Sequence, residues 1–277
     1  MTNASDVIEH YGRDDLTGRL RAALDAAGLG DRLLTPEELA PLDHFHSRGL
    51  AATQELAAAL APLPNAEVLD LGSGIGGPAR YLAATYGCYV TGIDLSPAFV
   101  AAANYLAERC GLAGKTTFQC ADALALPFAD ASFDLVWTQH VAMNIADRPR
   151  LYAEAHRVLR PGGRFAIFDI VAGETGPLHF PVPWSRGPQT SFLLTPAAMR
   201  EMLEAQGFRV VTWKDQTAEG TAFFAEWQKA LAAPPAARPA LNVTVVMGPE
   251  FPTMAANLAR NFREGRVGLV EAILERV

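Results

Sequence analysis

Apolar positions in the first third of the chain recur at helical spacing. Leu16, Leu20 and Leu24 fall on one face of a helix. Residues 35–38 combine a threonine N-cap with a first-turn proline and two early acidic residues. A further helix is predicted over residues 51–61, just before the next two prolines. The pattern therefore predicts a helical segment ahead of the first strand.

Short apolar runs alternate with helical stretches from residue 67 onward. Strands are predicted over residues 67–71, 89–94, 116–120, 133–137 and 164–169. Helices are predicted between them, including 96–110 and 149–159. This alternation predicts an α/β fold with a parallel sheet, right-handed crossovers and helices on both faces. Ligands of such sheets bind at the carboxyl ends of the strands.

Residues 173–195 interrupt the alternation after the fifth strand. They contain four prolines and few periodic apolar positions, which predicts an inserted loop or lid. A helix over 196–206 and a strand over 208–213 then return to the sheet, and residues 234–239 form a proline-rich surface connector. A helix over 252–263 precedes an apolar run over 267–274. We interpret that run as the final strand, although helical spacing also fits it.

Composition and charge narrow the classes of function. Half of the residues are hydrophobic and 19% are charged, as in ordinary globular proteins. The net charge of -7 disfavours general binding to nucleic acids. Residues 1–13 are polar, unlike a secretory signal, and no apolar run approaches the roughly 20 residues that span a bilayer. We therefore expect a cytoplasmic protein without a membrane partner. Cys88, Cys110 and Cys120 form no CxxC pair, so we expect small buried side chains rather than disulfides.

A glycine-rich loop follows the first strand and opens a helix. Residues 70–77 let the backbone turn sharply and let a ligand approach the helix N-terminus. Gly72, Gly74 and Gly77 also satisfy the G-x-G-x-x-G pattern of dinucleotide sites. Asp70 separates the two interpretations, because a carboxylate repels a pyrophosphate but attracts the ammonium and sulfonium of S-adenosylmethionine. Its other interpretation is a solvated residue at a strand end.

Two further carboxylates close the next two strands. Asp94 is placed to accept hydrogen bonds from both ribose hydroxyls, and Leu95 to lie against an adenine. Asp122 is placed to accept from the adenine amine, with the backbone N–H of Ala123 donating to a ring nitrogen. An N-cap role for Asp122 is equally open. Carboxylates at three successive strand ends together predict a nucleoside site.

Four segments resemble the successive motifs of class I S-adenosylmethionine-dependent methyltransferases. They are residues 68–77, 92–96, 121–123 and 157–163, and the resemblance extends over residues 45–208. It implies a Rossmann-like seven-stranded sheet whose last strand is antiparallel. It also implies S-adenosylmethionine as cofactor, S-adenosylhomocysteine as product, and Gly72 and Gly74 as cofactor contacts.

Residues 43–49 are similar to the segment that precedes the core in sarcosine/dimethylglycine and phosphoethanolamine N-methyltransferases. The resemblance implies that Ser47 and Arg48 lie near the methionine carboxylate of the cofactor, for which a guanidinium is suited. Asp43, His44 and His46 could instead form a metal cluster. No further ligands at matching spacing are visible, so we expect no metal.

We expect a single domain over residues 1–277. Its predicted parts are an N-terminal helical cap (1–62), a cofactor-binding core (63–172), a substrate lid (173–195) and the C-terminal part of the core (196–277).

The end of the fourth strand faces both cofactor and acceptor in the class that the chain resembles. This implies that Gln139 contacts the cofactor and that His140 is the candidate general base. A packing or cofactor-contact role for His140 stays open. The similar amine methyltransferases have Asp at the position of His140 and His at the position of Asn144. Asn144 could orient an acceptor but could not act as a base.

The lid supplies two candidates for binding the acceptor. Trp184 could form a wall of the site or hold a cationic amine, and Arg186 could bind an acceptor carboxylate. A buried tryptophan and a solvated arginine are the alternatives.

Methylation of a small molecule is the expected activity, with an amine that bears a carboxylate slightly favoured. C- or O-methylation of a phenol, quinone-like ring, enolate or natural-product intermediate is the alternative within enzymes. A cofactor-binding protein without catalysis also stays open, as does a homodimer. Nucleic-acid methylation is disfavoured because the chain lacks a [DN]-P-P-[YF] motif after the fourth strand and a Pro-Cys nucleophile.

Overall fold

Seven strands form one sheet in the computed structural model, which describes residues 15–231 and 241–277. The predicted polar stretch 1–13 and the predicted connector 234–239 lie outside the described residues. The strands are β1 (Glu67–Leu71), β2 (Tyr89–Asp94), β3 (Thr116–Cys120), β4 (Phe133–Gln139), β5 (Leu159–Ala172), β6 (Phe208–Asp215) and β7 (Val267–Arg276). Their order across the sheet is β3-β2-β1-β4-β5-β7-β6.

The strand pairing explains where a ligand can bind. β1 pairs in parallel with β2 and β4, whereas β7 runs antiparallel between β5 and β6. The strand order reverses between β1 and β4, which makes their carboxyl ends the switch point of the sheet. The predicted sheet with an antiparallel last strand is confirmed, and the apolar run over 267–274 belongs to that strand.

Ten helices accompany the sheet within the described residues. They are α1 (Leu16–Ala26), α2 (Pro36–Asp43), α3 (Gly49–Leu60), α4 (Gly77–Tyr86), α5 (Pro97–Arg109), α6 (Arg148–Val158), α7 (Pro196–Ala205), α8 (Thr217–Leu231), α9 (Thr244–Met247) and α10 (Phe251–Arg263). The hydrophobic pattern predicts no helix between β6 and residue 252, so α8 and α9 are not predicted from the sequence. No helix in this described part of the chain has the length and apolarity needed to cross a lipid bilayer.

Successive side chains of the strands point into two apolar layers, one on each face of the sheet. Val68 joins the layer that contains α3, α4 and α10, and its neighbour Leu69 joins the layer that contains α6 and α7. Because successive strand residues point to opposite faces, helices cover both sides of the sheet. The predicted N-cap of α2 is confirmed: Thr35 Oγ1 accepts from the Glu38 N–H at 3.3 Å, and Glu38 Oε2 accepts from the Thr35 N–H at 2.9 Å.

Residues 173–195 contain one short 3-10 turn and no longer regular element. The segment is nevertheless packed, since Val182 and Trp184 are buried in the same apolar layer as α10. Asn257 of α10 donates from Nδ2 to the Pro181 carbonyl at 2.9 Å, and Asn261 Oδ1 accepts from the backbone N–H at residue 179 at 2.8 Å. These contacts hold the predicted lid against α10.

The three cysteines are unpaired thiols. Cys88 is buried and Cys110 is half-buried, but Cys120 is exposed. The expectation that all three are buried is therefore wrong for Cys120, which ends β3 at an edge of the sheet where no strand covers it.

Candidate active site

The carboxyl ends of β1 to β4 open into a cavity of about 710 Å³. Its wall includes the last residues of β1, β2 and β4 and the loops that follow them, as the strand order requires. Small-molecule sites of proteins span roughly 300–1,000 Å³. The cavity therefore has the size and position expected of a ligand site in this fold.

Two glycines of the glycine loop have positive φ angles and no space for a side chain. Gly72 has a φ of 67° and Gly74 a φ of 55°, in the left-handed region that glycine favours. A Cβ on Gly72 would lie 2.5 Å from Val141 Cγ2, and one on Gly74 would lie 2.9 Å from Phe45 Cζ. The third glycine of the pattern, Gly77, packs against α2. The sequence pattern shared with dinucleotide sites is thus explained by packing as well as by ligand approach.

Asp70 is a buried carboxyl with an oxygen that no neighbour satisfies. The residue is 2% exposed and lines the cavity, and within the described structure its Oδ2 has no hydrogen-bond partner. Burial raises the pKa of Asp70 well above its usual value, and the nearby Asp94 carboxylate raises it further. A cationic ligand group in the cavity would offset both the cost of burying the Asp70 charge and its repulsion by Asp94.

Asp94 is held in place by two backbone donors. Its Oδ2 accepts from the Gly74 N–H at 3.0 Å and its Oδ1 accepts from the Ser96 N–H at 2.9 Å. Burial raises the pKa of Asp94 to about 6, although these hydrogen bonds oppose the shift. Each carboxylate oxygen keeps a second lone pair for a ligand hydroxyl.

The predicted adenine contacts also line the cavity. Leu95, Asp122 and Ala123 all belong to its wall. Asp122 is exposed, and its Oδ1 accepts from the Leu124 N–H at 2.8 Å. That hydrogen bond closes a local turn rather than capping a helix.

Ser47 and Arg48, neighbours in sequence, differ in where they lie. Ser47 lines the cavity, is 2% exposed, and its Oγ has no hydrogen-bond partner within the described structure. Arg48 is not among the described residues that form the cavity wall. Its guanidinium donates to both Glu55 carboxylate oxygens, at 2.9 and 2.6 Å, and to Gln216 Oε1 at 3.0 Å. The structure thus pairs the charge of Arg48 with Glu55 on α3, and its contact with the cofactor carboxylate stays a prediction.

Gln139 ends β4 within a buried hydrogen-bond network. Its Oε1 accepts from Trp137 Nε1 and from Thr53 Oγ1, each at 3.1 Å. Thr53 Oγ1 also contacts His44 Nδ1 at 3.1 Å and His46 Nε2 at 3.2 Å. Gln139 Nε2 is left without a partner in the described structure, and the residue lines the cavity. Sequence reasoning missed Thr53, whose role depends on partners from β4 and from residues 44–46.

The two histidines of this network are neutral. Burial lowers the pKa of both His44 and His46 to about 3. Asp43, the third residue of the alternative metal cluster, is buried against Arg80 with Nη2 and Oδ2 2.6 Å apart. The described residues contain no group of three or more His, Cys, Asp or Glu side chains arranged to hold a metal.

His140 lines the cavity just past the end of β4. Its ring stacks on Phe168 with centroids 5.5 Å apart, and its Nε2 is buried without a hydrogen-bond partner in the described structure. Burial lowers the pKa of His140 well below its usual value, and the neighbouring His46 adds to this. A φ of 55° at a non-glycine residue marks a constrained backbone of the kind found at functional sites. The imidazole is therefore neutral, and burial also makes it a weaker base than a solvent-exposed histidine.

Asn144 holds the predicted lid. Its Nδ2 donates to the Trp184 carbonyl at 2.7 Å and lies 3.4 Å from the Thr190 carbonyl. Asn144 also lines the cavity, so the prediction that it orients an acceptor stays a prediction beside this structural role. Trp184 itself is buried, lines the cavity and donates from Nε1 to Ser191 Oγ at 3.0 Å.

Arg186 lies at the surface. Its side chain is 60% exposed and pairs with Glu250, and it is not part of the described cavity wall. The structure thus does not bring Arg186 into the described cavity wall, and its role in binding an acceptor carboxylate stays a prediction. The cavity wall contains instead an apolar group that sequence reasoning missed, contributed by α8, α9 and α10. Phe223 and Trp227 are four positions apart, and this helical spacing was the sequence signal that could have predicted α8 and its apolar face.

Comparison with known proteins agrees with the geometry. Residues 69–167 match a family model described as a methyltransferase domain. Tocopherol O-methyltransferase of Arabidopsis thaliana is 46% identical over 36% of this chain and 29% of its own length. Sarcosine/dimethylglycine N-methyltransferase of Halorhodospira halochloris is 34% identical over 56% of this chain and 55% of its own. The chain thus spans less than two thirds of either relative.

A solved structure matches almost the whole chain. The crystal structure of the [4+2]-cyclase SpnF is 25% identical with a TM-score of 0.71, and covers 99% of this chain and 97% of its own. The resemblance to small-molecule methyltransferases that the sequence motifs indicate is confirmed. Residues 69–167 match a methyltransferase domain, and the whole chain is similar in fold, and in part of its sequence, to small-molecule methyltransferases and to SpnF.

Proposed function

We propose that the protein transfers a methyl group from S-adenosylmethionine to a small-molecule acceptor. The observation that carries this proposal is the buried Asp70 carboxyl, whose Oδ2 lacks a partner in the described structure beside the glycine loop. Such an oxygen is costly unless a ligand satisfies it. The cofactor brings an ammonium and a sulfonium, which fit an acidic site.

The amino-acid end of the cofactor also needs donors for its carboxylate. Ser47 Oγ, Ser73 Oγ and Gln139 Nε2 all lie on the cavity wall, buried and without partners in the described structure. Neutral donors of this kind take the part that the sequence assigned to Arg48. Asp94 would hold the ribose, and Leu95, Asp122 and Ala123 would contact the adenine. When bound, S-adenosylmethionine supplies a methyl group on an already activated sulfur.

His140 is the proposed general base. Its neutral imidazole is suited to take a proton from an acceptor hydroxyl, enol or amine as the nucleophile forms its new bond. The packed segment 173–195 is the proposed substrate lid. The protein's remaining task is to align the acceptor, which is the larger part of catalysis for a group that is already activated.

The test is transfer of label from methyl-labelled S-adenosylmethionine to a small-molecule extract, with products separated by mass. A product that carries the label supports the proposal, and its fragmentation identifies the methylated atom. Binding of S-adenosylhomocysteine is measured separately by calorimetry. Absence of binding would overturn the assignment of Asp70 and the glycine loop.

Cyclisation without methyl transfer is a second candidate. The structure that covers 99% of this chain is described as a [4+2]-cyclase. The same assay separates the two, because cyclisation gives an unlabelled product of unchanged mass. Consumption of an extract component without label would favour it, and binding of cofactor with no product at all would favour a non-catalytic role.

We further propose that the protein works in the cytoplasm, without nucleic-acid partners. Three unpaired cysteines suit a reducing compartment, and the net charge of -7 opposes binding to phosphate backbones. Cell fractionation and a nucleic-acid retention assay test these points. Light scattering decides between a monomer and the homodimer that the sequence leaves open.

A further inference from the structure

One part of the cavity wall is aromatic. Trp184, Phe223, Phe224, Trp227, Met247 and Phe251 line the cavity and belong to one contiguous apolar cluster. We name these six residues the aromatic chamber. The rings of Trp227 and Phe251 meet edge to face with centroids 5.9 Å apart, and those of Phe223 and Phe224 lie 5.2 Å apart. Mutual packing of this kind fixes the shape of the chamber.

Phe223 and Trp227 present apolar surface to the cavity. Both are only half-buried, whereas Phe224 and Phe251 are buried. The two half-buried rings lie one helical turn apart on α8, so they form one face. Apolar surface of this kind is stabilised by an apolar ligand that displaces water.

The described wall offers no cation to an anionic acceptor. It contains no lysine or arginine among its lining residues in 15–231 and 241–277. The nearby Arg48, Arg80 and Arg186 are paired with Glu55, Asp43 and Glu250. Its charged groups are carboxyls such as Asp70 and Asp94, which repel a carboxylate or phosphate. An anionic acceptor would lose its hydration and gain no cation. A cationic acceptor would find Asp70 and Asp94 already engaged by the cofactor.

From this geometry we infer that the acceptor is an uncharged, largely apolar compound that seats its hydrophobic part in the aromatic chamber. The inference rests on the proposed function and names the acceptor class of that site. It replaces the amine with a carboxylate that the sequence slightly favours. The acceptor needs one polar group for His140, which shares the cavity, and a neutral hydroxyl or enol meets both requirements.

A matched set of probes tests the inference by calorimetry in the presence of saturating S-adenosylhomocysteine. The probes are methyl 2-naphthoate, the 2-naphthoate anion and the 2-naphthylmethylammonium cation, which share one ring system and differ in charge. The neutral ester should bind at least about tenfold more tightly than either ion, a difference of about 1.4 kcal/mol. Equal or tighter binding of the anion or the cation overturns the inference, as does failure of the ester to bind.

Two variants of α8 place the same charge on different faces. Phe223→Asp puts a carboxylate in the aromatic chamber, and Ala225→Asp puts one on the exposed side of the same helix. The first should weaken binding of the ester by about tenfold or more, whereas Ala225→Asp should leave it nearly unchanged. Equal effects of the two aspartates would overturn the inference.

Cofactor binding distinguishes failure of the proposed function from failure of the inferred acceptor class. Each variant should bind S-adenosylhomocysteine with the affinity of the wild type, which also shows that it is folded. Loss of S-adenosylhomocysteine binding in the wild type would contradict the proposed function. Intact S-adenosylhomocysteine binding with the wrong order of probe affinities would contradict the acceptor class alone.

Discussion

Replacement of Asp70 by asparagine separates the binding role of this residue from its cost to the fold. The substitution keeps the size of the side chain and removes its charge. In the ligand-free protein the carboxyl is 2% exposed and its Oδ2 has no hydrogen-bond partner in the described structure. Asp70→Asn should therefore weaken cofactor binding and stabilise the ligand-free protein.

The expected loss of affinity follows from the burial of the charge. Truncating one partner of a buried charge pair costs roughly 2–5 kcal/mol. At 1.4 kcal/mol per tenfold, the Kd for S-adenosylhomocysteine should rise by about 30-fold to several thousand-fold. S-adenosylhomocysteine retains the ammonium group, so this experiment measures the ammonium contact without any turnover.

The expected gain in stability follows from the direction of the pKa shift. Burial raises the pKa of Asp70 well above its usual value, so ionisation disfavours the folded state. The penalty is absent below the unfolded pKa of about 3.9 and grows as the pH rises toward the folded pKa. Ligand-free Asp70→Asn should therefore melt at a higher temperature than the wild type at pH 7.5, and the two should converge near pH 4.

Calorimetric titration and thermal unfolding, each with and without S-adenosylhomocysteine, measure both effects. Asp25→Asn, at an exposed position on α1, is the matched control and should change neither quantity. Saturating ligand should raise the melting temperature of the wild type more than that of Asp70→Asn, since stabilisation scales with the ratio of ligand concentration to Kd. An unchanged Kd, or a lower melting temperature of the ligand-free variant at pH 7.5, would refute the reasoning.

Three other substitutions test separate parts of the site. His140→Gln should lower kcat by roughly 10²–10⁴-fold without changing the Kd of S-adenosylhomocysteine, and unchanged turnover would exclude a role as base. Gly72→Ala should destabilise the fold by about 1–3 kcal/mol more than Gly28→Ala in denaturant unfolding, because both have positive φ but only the first meets Val141. Thr53→Val should cost about 1–3 kcal/mol in the same assay, because it leaves buried polar atoms unsatisfied, whereas Thr53→Ser should retain most of the stability.

The cofactor side of the site could be predicted because its signals are local in the sequence. Asp70, Asp94 and Asp122 each lie at or just past the carboxyl end of a strand whose apolar pattern is readable, and parallel strands bring such ends together. Side chains that depend on distant partners could not be placed in this way. Arg48 pairs with Glu55 and also contacts Gln216, 168 positions away, and such a pairing leaves no local pattern.

The arginines show why a charged residue near a site is weak evidence for its ligand. Arg186 lies in the segment that borders the cavity, and its residue type suits a carboxylate. Its partner Glu250 lies 64 positions further along the chain and neutralises it at the surface. An ion pair of this kind is visible only in three dimensions, so the residue type alone could not show that the charge of Arg186 is already paired.

The two halves of the site come from different parts of the chain, and this accounts for what the relatives share. The methyltransferase domain match covers residues 69–167, which include Asp70, Asp94 and His140. Of the aromatic chamber, Trp184 lies in the segment after β5 and the other residues lie between β6 and β7, all outside that match. A cofactor site on a common core constrains its residues, whereas insertions that form the opposite wall are free to vary. We therefore expect α8, α9 and α10 to determine which acceptor binds. Their apolar wall is stronger evidence for the acceptor than the substrate of any one relative.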